Sequence, residues 1–428
     1  MFEVQTIIED LERSFSPYHV VDRLRSKLLE KGYEELFETN RWKTKRGGRY
    51  FVIRNGSSLI AFKIPEKEDK KAFHFAMVHT DSPTFKIKPN PIIETGDGTV
   101  LNVEPYGGMI DSTWMDRPLT IAGRILVRTE KGIRTKLFCP EEDLLFIPNL
   151  CIHMNRTVND GMKFNAAKDM LPLFSTKKVD FSDYLSKAAN VEKEAILGFD
   201  LFLVNRDKPR RVGLEKELLS SPKLDDLASC YAAFYAFLDS EEEKEIPIFA
   251  AFDNEEVGSM TRQGANSTFL QDTIDRLSKA LEIEKDQAIA ASIALSIDNA
   301  HANHPNHPEI SDQTTHVRLG NGVVIKHSAR QSYTTDALSS AIVKAILEKE
   351  DMPYQEYTDR SDLRGGSTLG NISNSQISLA SCDIGIAQLA MHSANELCSV
   401  DDIESMKQLV EAFYRRDILL SQDGVDIL

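Results

Sequence analysis

Apolar residues recur at helical spacing at the start of the chain, with Ile7, Ile8 and Leu11 before the Pro17 turn and Val21, Leu24 and Leu28 after it, so two opening helices are predicted across residues 4–31. The runs YFVIRN, SLIAFKI and FHFAMVHTDSP then read as strands, the last ending in a polar cluster. Between about 92 and 220 the pattern changes. LTIAGRILVRT and IRTKLFCP alternate or run apolar over short lengths between Gly and Asp turn signals, and no long helical pattern intervenes before the mixed stretch near 183–196. From 225 onward helices and strands alternate: DDLASCYAAFYAFLD, IPIFAAF, FLQDTIDRLSKAL, ASIALSI, ALSSAIVKAILEK, DIGIAQLA and a closing helix near 400–420. Strands joined by crossover helices pair in parallel, so the fold class is α/β, a central mixed, mostly parallel sheet flanked by helices. Residues 1–92 and 221–428 are expected to form one catalytic domain, interrupted by a β-rich domain at 93–220.

The length of 428 residues fits this two-domain reading, and 41% hydrophobic with 27% charged residues is ordinary for a folded chain. A formal net charge of -15 opposes nucleic-acid or anionic-membrane partners, which are themselves negative. The five cysteines are scattered, odd in number and form no CxxC pair, as expected of reduced thiols. The opening MFEVQTIIEDLERSF lacks a basic n-region and an apolar h-region, and no apolar run approaches the roughly 20 residues a membrane span needs. A soluble cytoplasmic protein acting on a small substrate or a protein partner is expected.

Four polar clusters lie just past the ends of predicted strands: His79 in VHTDSP, Glu255 and Glu256 in FDNEEVGS, Asp298 in SIDNAHA and His392 in LAMHSANE. Open α/β sheets bind ligands outside the carboxyl ends of their strands, so the four can converge, and Asp225 in KLDDLAS can join from a helix start. Two imidazoles with several carboxylates and no thiolate suit zinc, manganese or cobalt. Five candidate ligands fit two metals roughly 3.5 to 4 Å apart, one carboxylate bridging, better than one. The adjacent glutamates then have different tasks, with Glu256 a ligand and Glu255 a base that takes the proton of the attacking water and returns it to the leaving amine. Asp81 is placed to accept a hydrogen bond from the His79 nitrogen that faces away from the metal.

Taken singly, each residue has a plainer reading. Asp225 suits a helix N-cap, His79 a hydrogen-bonded turn, and the Glu pair a solvated loop. Their joint occurrence at strand ends favours the metal site. In HANHPNHP, Pro305 and Pro308 exclude a helical two-histidine motif; His301, close to Asp298, is the candidate for substrate contact, while His304 and His307 read as structural or exposed. RGGSTLGN at 364–371 lacks the phosphate-loop spacing and reads as a tight loop. No GxSxG elbow is present.

HTDSP, STWMDRPLTIAGR, IPNLCIHMNR, KLDDLAS, DNEEVGS, DNAHANHPN, VIK and LAMHS resemble, in order, the motifs of the aspartyl aminopeptidase family, zinc enzymes that include vacuolar aminopeptidase I. The resemblance implies a zinc-peptidase-type domain with two divalent ions, zinc in first place and cobalt or manganese as alternatives. It implies His79, Asp225, Glu256, Asp298 and His392 as ligands with Asp225 bridging, Glu255 as general base, Asp81 orienting His79, and His301 stabilising the tetrahedral intermediate. His153 matches a histidine that reaches a neighbouring subunit's active site. Lys326 matches a lysine able to pair with an acidic first side chain, and Tyr333 joins it and His153 as a candidate substrate contact. Peptides with a free N-terminus, Asp or Glu preferred, and a homododecamer built from dimers through the inserted domain are implied. Two departures bear on the pocket: Asp226 stands where Asn is common, and RGG at 364–366 replaces Pro-Cys-Gly. The rival readings are a dinuclear deacylase or carboxypeptidase of similar fold, and a non-catalytic oligomeric binding protein.

Overall fold

The computed structural model describes residues 4–66, 72–240, 245–363, 365–421 and 424–428. The opening helices are Val4–Arg13 and Pro17–Glu30. A nine-stranded sheet follows, in the order Glu34–Leu36, Arg49–Arg54, Ser58–Lys63, Ile246–Phe252, Phe73–His79, Ile293–Ile297, Ala380–Gly385, Val323–His327 and Tyr354–Thr358. Five of its eight pairings are parallel and three antiparallel, the mixed, mostly parallel arrangement expected. Alternate residues of each central strand enter different cores: Phe249 and Ala251 pack with helices Leu224–Asp239 and Val400–Tyr414, whereas Ile248 and Ala250 pack with Phe269–Leu281. A strand buried on both faces has no polar side to show, so IPIFAAF runs apolar instead of alternating. Helix Leu224–Asp239 is buried over most of its length, matching its apolar circumference.

A second, wholly antiparallel sheet has the order Gly132–Phe138, Leu119–Thr129, Ile196–Asn205, Thr84–Thr95, Gly98–Tyr106 and Leu173–Ser175, with helix Phe181–Ala189 against it. The strands of this sheet, the inserted unit, fall between Thr84 and Asn205. Phe85 and Ile87 already point into its core. At the other end, Leu218–Ser221 pairs with Glu396–Ser399 in a five-stranded sheet that belongs to the larger unit, and Leu219 is buried in the larger core. The strand Thr84–Thr95 leaves the polar cluster at residues 79–83 directly, so the inserted sheet starts beside the candidate site.

Candidate metal centre

Three adjacent parallel strands, Ile246–Phe252, Phe73–His79 and Ile293–Ile297, deliver their carboxyl ends to one place. His79 ends one, Asp298 follows another, and the turn Glu255–Val257 follows the third after Asn254 at φ 64°. His392, at φ 65°, comes from the loop after Ala387–Leu389. Asp225 enters from the start of Leu224–Asp239, where it and Asp226 have non-helical backbone angles. Its carboxylate faces the two histidines instead of the helix end, so tertiary geometry displaces the N-cap reading. Gly385 gives this corner its room, because a Cβ there would lie 2.1 Å from the Asp298 carbonyl oxygen.

The side chains form two groups that share Asp225. His79 Nε2 lies 3.3 Å from Asp225 Oδ1 and 3.7 Å from Asp298 Oδ1. His392 Nε2 lies 3.4 Å from Asp225 Oδ2 and 3.6 Å from Glu256 Oε2. Glu255 joins His79 and Glu256 in a further group whose ligand atoms lie within 4.8 Å of one another. Asp225 Oδ1 is buried and takes no hydrogen bond, a costly state for a carboxylate oxygen unless a cation faces it. Imidazole and carboxylate donors in this arrangement fit divalent zinc.

The groups behind these side chains orient them. His79 Nδ1 lies 3.1 Å from the Asp81 carbonyl oxygen and 3.4 Å from Asp81 Oδ1, which turns Nε2 toward Asp225. Asp81 also accepts the backbone N–H groups of Glu255 at 3.1 Å and Glu256 at 3.2 Å, so one buried carboxylate holds both the histidine and the loop. His392 Nδ1 lies 2.5 Å from the Gly108 carbonyl oxygen. Burial opposes charge on both histidines, but the Asp225 carboxylate that faces them, joined at His79 by Asp298 and Asp81, outweighs it. His79 is held well above the ordinary imidazole value and His392 is pushed up to about 9. Burial first, then the surrounding carboxylates, push Glu255 up to about 8 and Glu256 well above the ordinary range. Burial would also raise Asp225, but His392 and His79 hold it low.

A family profile described as aminopeptidase I zinc metalloprotease (M18) matches residues 11–414. The chain belongs to the M18 family of zinc metalloaminopeptidases. This M18 aminopeptidase is 40% identical over 421 residues to the probable M18 family aminopeptidase 2 of Clostridium novyi (strain NT), covering 95% of this chain and 97% of that one. Its fold is similar to the chain in a cryo-EM structure of the Ape4 and Nbr1 complex, with a TM-score of 0.91, 31% identity, and 96% and 85% of the two chains covered. It is also similar to the S. cerevisiae mApe1 dodecamer, with a TM-score of 0.84, 26% identity and 96% of each chain covered.

The remaining expected residues fall around the M18 centre or away from it. His301, exposed on one side, lies beside it with its ring against Tyr357 at 5.9 Å; partial desolvation, then the Lys326 charge, push its pKa down, favouring the neutral ring. Lys326 is 2% exposed and its Nζ donates to the carbonyl oxygens of Asp298 at 2.9 Å and Asn299 at 3.3 Å, with Asp298 Oδ2 at 3.5 Å. The Tyr333 ring covers Lys326 at 5.0 Å. His153 is exposed in the inserted unit and belongs to none of the candidate ligand groups. His304 and His307 also stand outside them; His307 pairs with Glu309 at 3.2 Å. Arg364 lies outside the described residues, and Gly365 packs onto the Asp359 carboxylate, an environment that disfavours phosphate. Sequence reasoning did not find Tyr106, whose hydroxyl donates to Asp81 Oδ2 at 2.8 Å, or Gly108. Both lie on the inserted unit, where no local pattern links them to the centre.

Proposed function

We propose that this zinc aminopeptidase works with two divalent cations held by His79, Asp225 and Asp298 on one side and by Asp225, Glu256 and His392 on the other. The observation that carries the reading is Asp225, each of whose oxygens faces a different histidine. Bound zinc ions would polarise the scissile carbonyl and acidify a water. Glu255 takes the proton from that water and gives it to the departing amine. Its carboxylate shares a group with His79 and Glu256, within reach of the same space. Asp81 keeps both His79 and the Glu255 loop in place. His301, neutral and with an N–H to offer, donates to the oxygen on which negative charge develops.

An acidic first residue is the family-based expectation, with Lys326 as its reader. The contacts of Lys326 favour a second reading, in which the ammonium holds Asp298 and Asn299 under the Tyr333 ring. A lysine that already has three oxygen neighbours is poorly placed to recognise another carboxylate. We infer that a free N-terminus defines the substrate more firmly than an acidic side chain does.

His153 stands among exposed Leu150, Ile152 and Met154, an apolar cluster suited to burial against another copy. A dodecamer like that of S. cerevisiae mApe1, with His153 reaching a neighbour's site, is proposed on this support. The five unpaired cysteines fit a reducing compartment such as the cytoplasm, and among the described residues no helix is long and apolar enough to cross a membrane.

The test is hydrolysis of aminoacyl chromogenic substrates, free and N-acetylated, after chelation and after zinc, cobalt or manganese is restored. Zinc-restored cleavage of free substrates alone supports the proposal. Cleavage led by N-acetylated substrates would favour the deacylase reading, and none under any metal would favour a binding protein.

A further inference from the structure

Residues 106–110 carry the inserted sheet up to the metal centre. Tyr106 ends the strand Gly98–Tyr106. Its hydroxyl donates to Asp81 Oδ2 at 2.8 Å and accepts from Asn254 Nδ2 at 2.7 Å, bridging the carboxylate that faces His79 and the turn that carries Glu255. Gly107 follows at φ 78°, where a Cβ would come within 3.1 Å of Glu256 Cβ and 3.4 Å of Glu256 Oε2. The Gly108 carbonyl oxygen faces His392 Nδ1 at 2.5 Å, and the Ile110 N–H donates to the His392 carbonyl at 3.0 Å. Two more contacts steady the same loop: Ala394 N–H donates to Thr113 Oγ1 at 2.8 Å, and Asn205 Nδ2 donates to the Ala394 carbonyl at 2.7 Å.

These contacts divide between the two halves of the centre. Tyr106 acts on His79 and Glu255 through Asp81 and Asn254. Gly107, Gly108 and Ile110 act on Glu256 and His392. Ligating histidines are commonly aimed by a hydrogen bond from their other ring nitrogen to a carboxylate or a backbone carbonyl. Here the larger unit supplies the Asp81 carbonyl for His79, with the Asp81 carboxylate at 3.4 Å, and the inserted unit supplies the Gly108 carbonyl for His392.

We propose that residues 106–110 are a positioning element, so that docking of the inserted sheet sets the geometry of both halves of the metal centre and of the general base. The segment would give the inserted unit a role in catalysis separate from subunit contacts. Tyr106 is a positioning residue, since it touches Asp81 and Asn254 rather than substrate. The proposal rests on the two-cation reading, and its test separates the two.

Wild type, Tyr106→Phe, Gly107→Ala and, as a control in the same unit, Tyr184→Phe would each be stripped of metal and titrated with zinc against a chelating dye. The visible spectrum of the cobalt-loaded form and steady-state kinetics would be recorded alongside. Tyr184 has a buried hydroxyl without a hydrogen-bond partner and stands outside the candidate ligand groups, so its variant reports general damage to the unit. Tyr106→Phe is expected to weaken zinc binding by about 10-fold or more, alter the cobalt spectrum and lower kcat with KM little changed. Gly107→Ala is expected to weaken one of the two zinc equivalents. Two zinc equivalents in wild type, with affinity, spectrum and kcat unchanged in Tyr106→Phe, would overturn the positioning role. Fewer than two equivalents in wild type would instead overturn the two-cation reading beneath it.

Discussion

The backbone N–H of Glu255 donates to Asp81 Oδ1 at 3.1 Å, so the carboxylate that faces His79 also fixes the loop of the proposed base. Asp81→Asn keeps the shape but replaces one acceptor with a donor that must face an N–H or the Tyr106 hydroxyl. The expected result is a loss of about 10- to 100-fold in zinc affinity or turnover, measured by zinc titration and steady-state kinetics. Wild-type values in both would show that Asp81 is merely buried.

Zinc binding should release protons. In the metal-free centre His79 is held well above the ordinary imidazole value and His392 sits at about 9, so both are protonated at pH 7. Coordination requires the neutral ring. Apparent zinc affinity should therefore rise with pH by about 10-fold per unit for each proton released, the His392 share of that rise ending as pH passes about 9. Calorimetry of zinc binding in buffers of different ionisation enthalpy measures the release directly, and a heat independent of buffer would contradict it.

Metal removal should lower thermal stability. Without cations, Asp225, Glu255, Glu256 and Asp298 crowd one site. A ligand that binds only the native state adds about 4 kcal/mol at a thousand times its dissociation constant. Chelation should lower Tm and added zinc should restore it; scanning calorimetry with and without chelator provides the check.

Lys326→Met should reduce cleavage of Asp, Glu and Leu substrates alike and weaken zinc binding, because Lys326 bonds to the Asp298 backbone and lies 3.5 Å from its carboxylate. A loss confined to acidic substrates, with zinc binding intact, would restore Lys326 as the reader of the first side chain.

Much of this architecture was readable because burial writes periodicity into the chain. IPIFAAF and FHFAMVH are apolar on both faces, and each ends in the polar residues that now meet at the centre. Glu255, Glu256, His79 and Asp298 were therefore visible at strand ends. Asp225 was ambiguous, because a helix-start aspartate has the same local sequence whether it caps the helix or faces two histidines. Tyr106 and Gly108 were invisible, since their partners lie at positions 81 and 392, and only the docking of two sheets brings them together. The alternation of TFKIKPNPI continues without a break from the polar cluster, and which core Phe85 enters is settled by tertiary packing.

The most direct test of the central claim is the zinc content and turnover of Glu255→Gln. The amide keeps the size of the side chain but cannot take a proton, and the ligand set is untouched. The predicted result is two zinc ions per chain, as in wild type, with turnover lower by about two to four orders of magnitude. Turnover at the wild-type rate with both ions in place would contradict the assignment of Glu255 as the base.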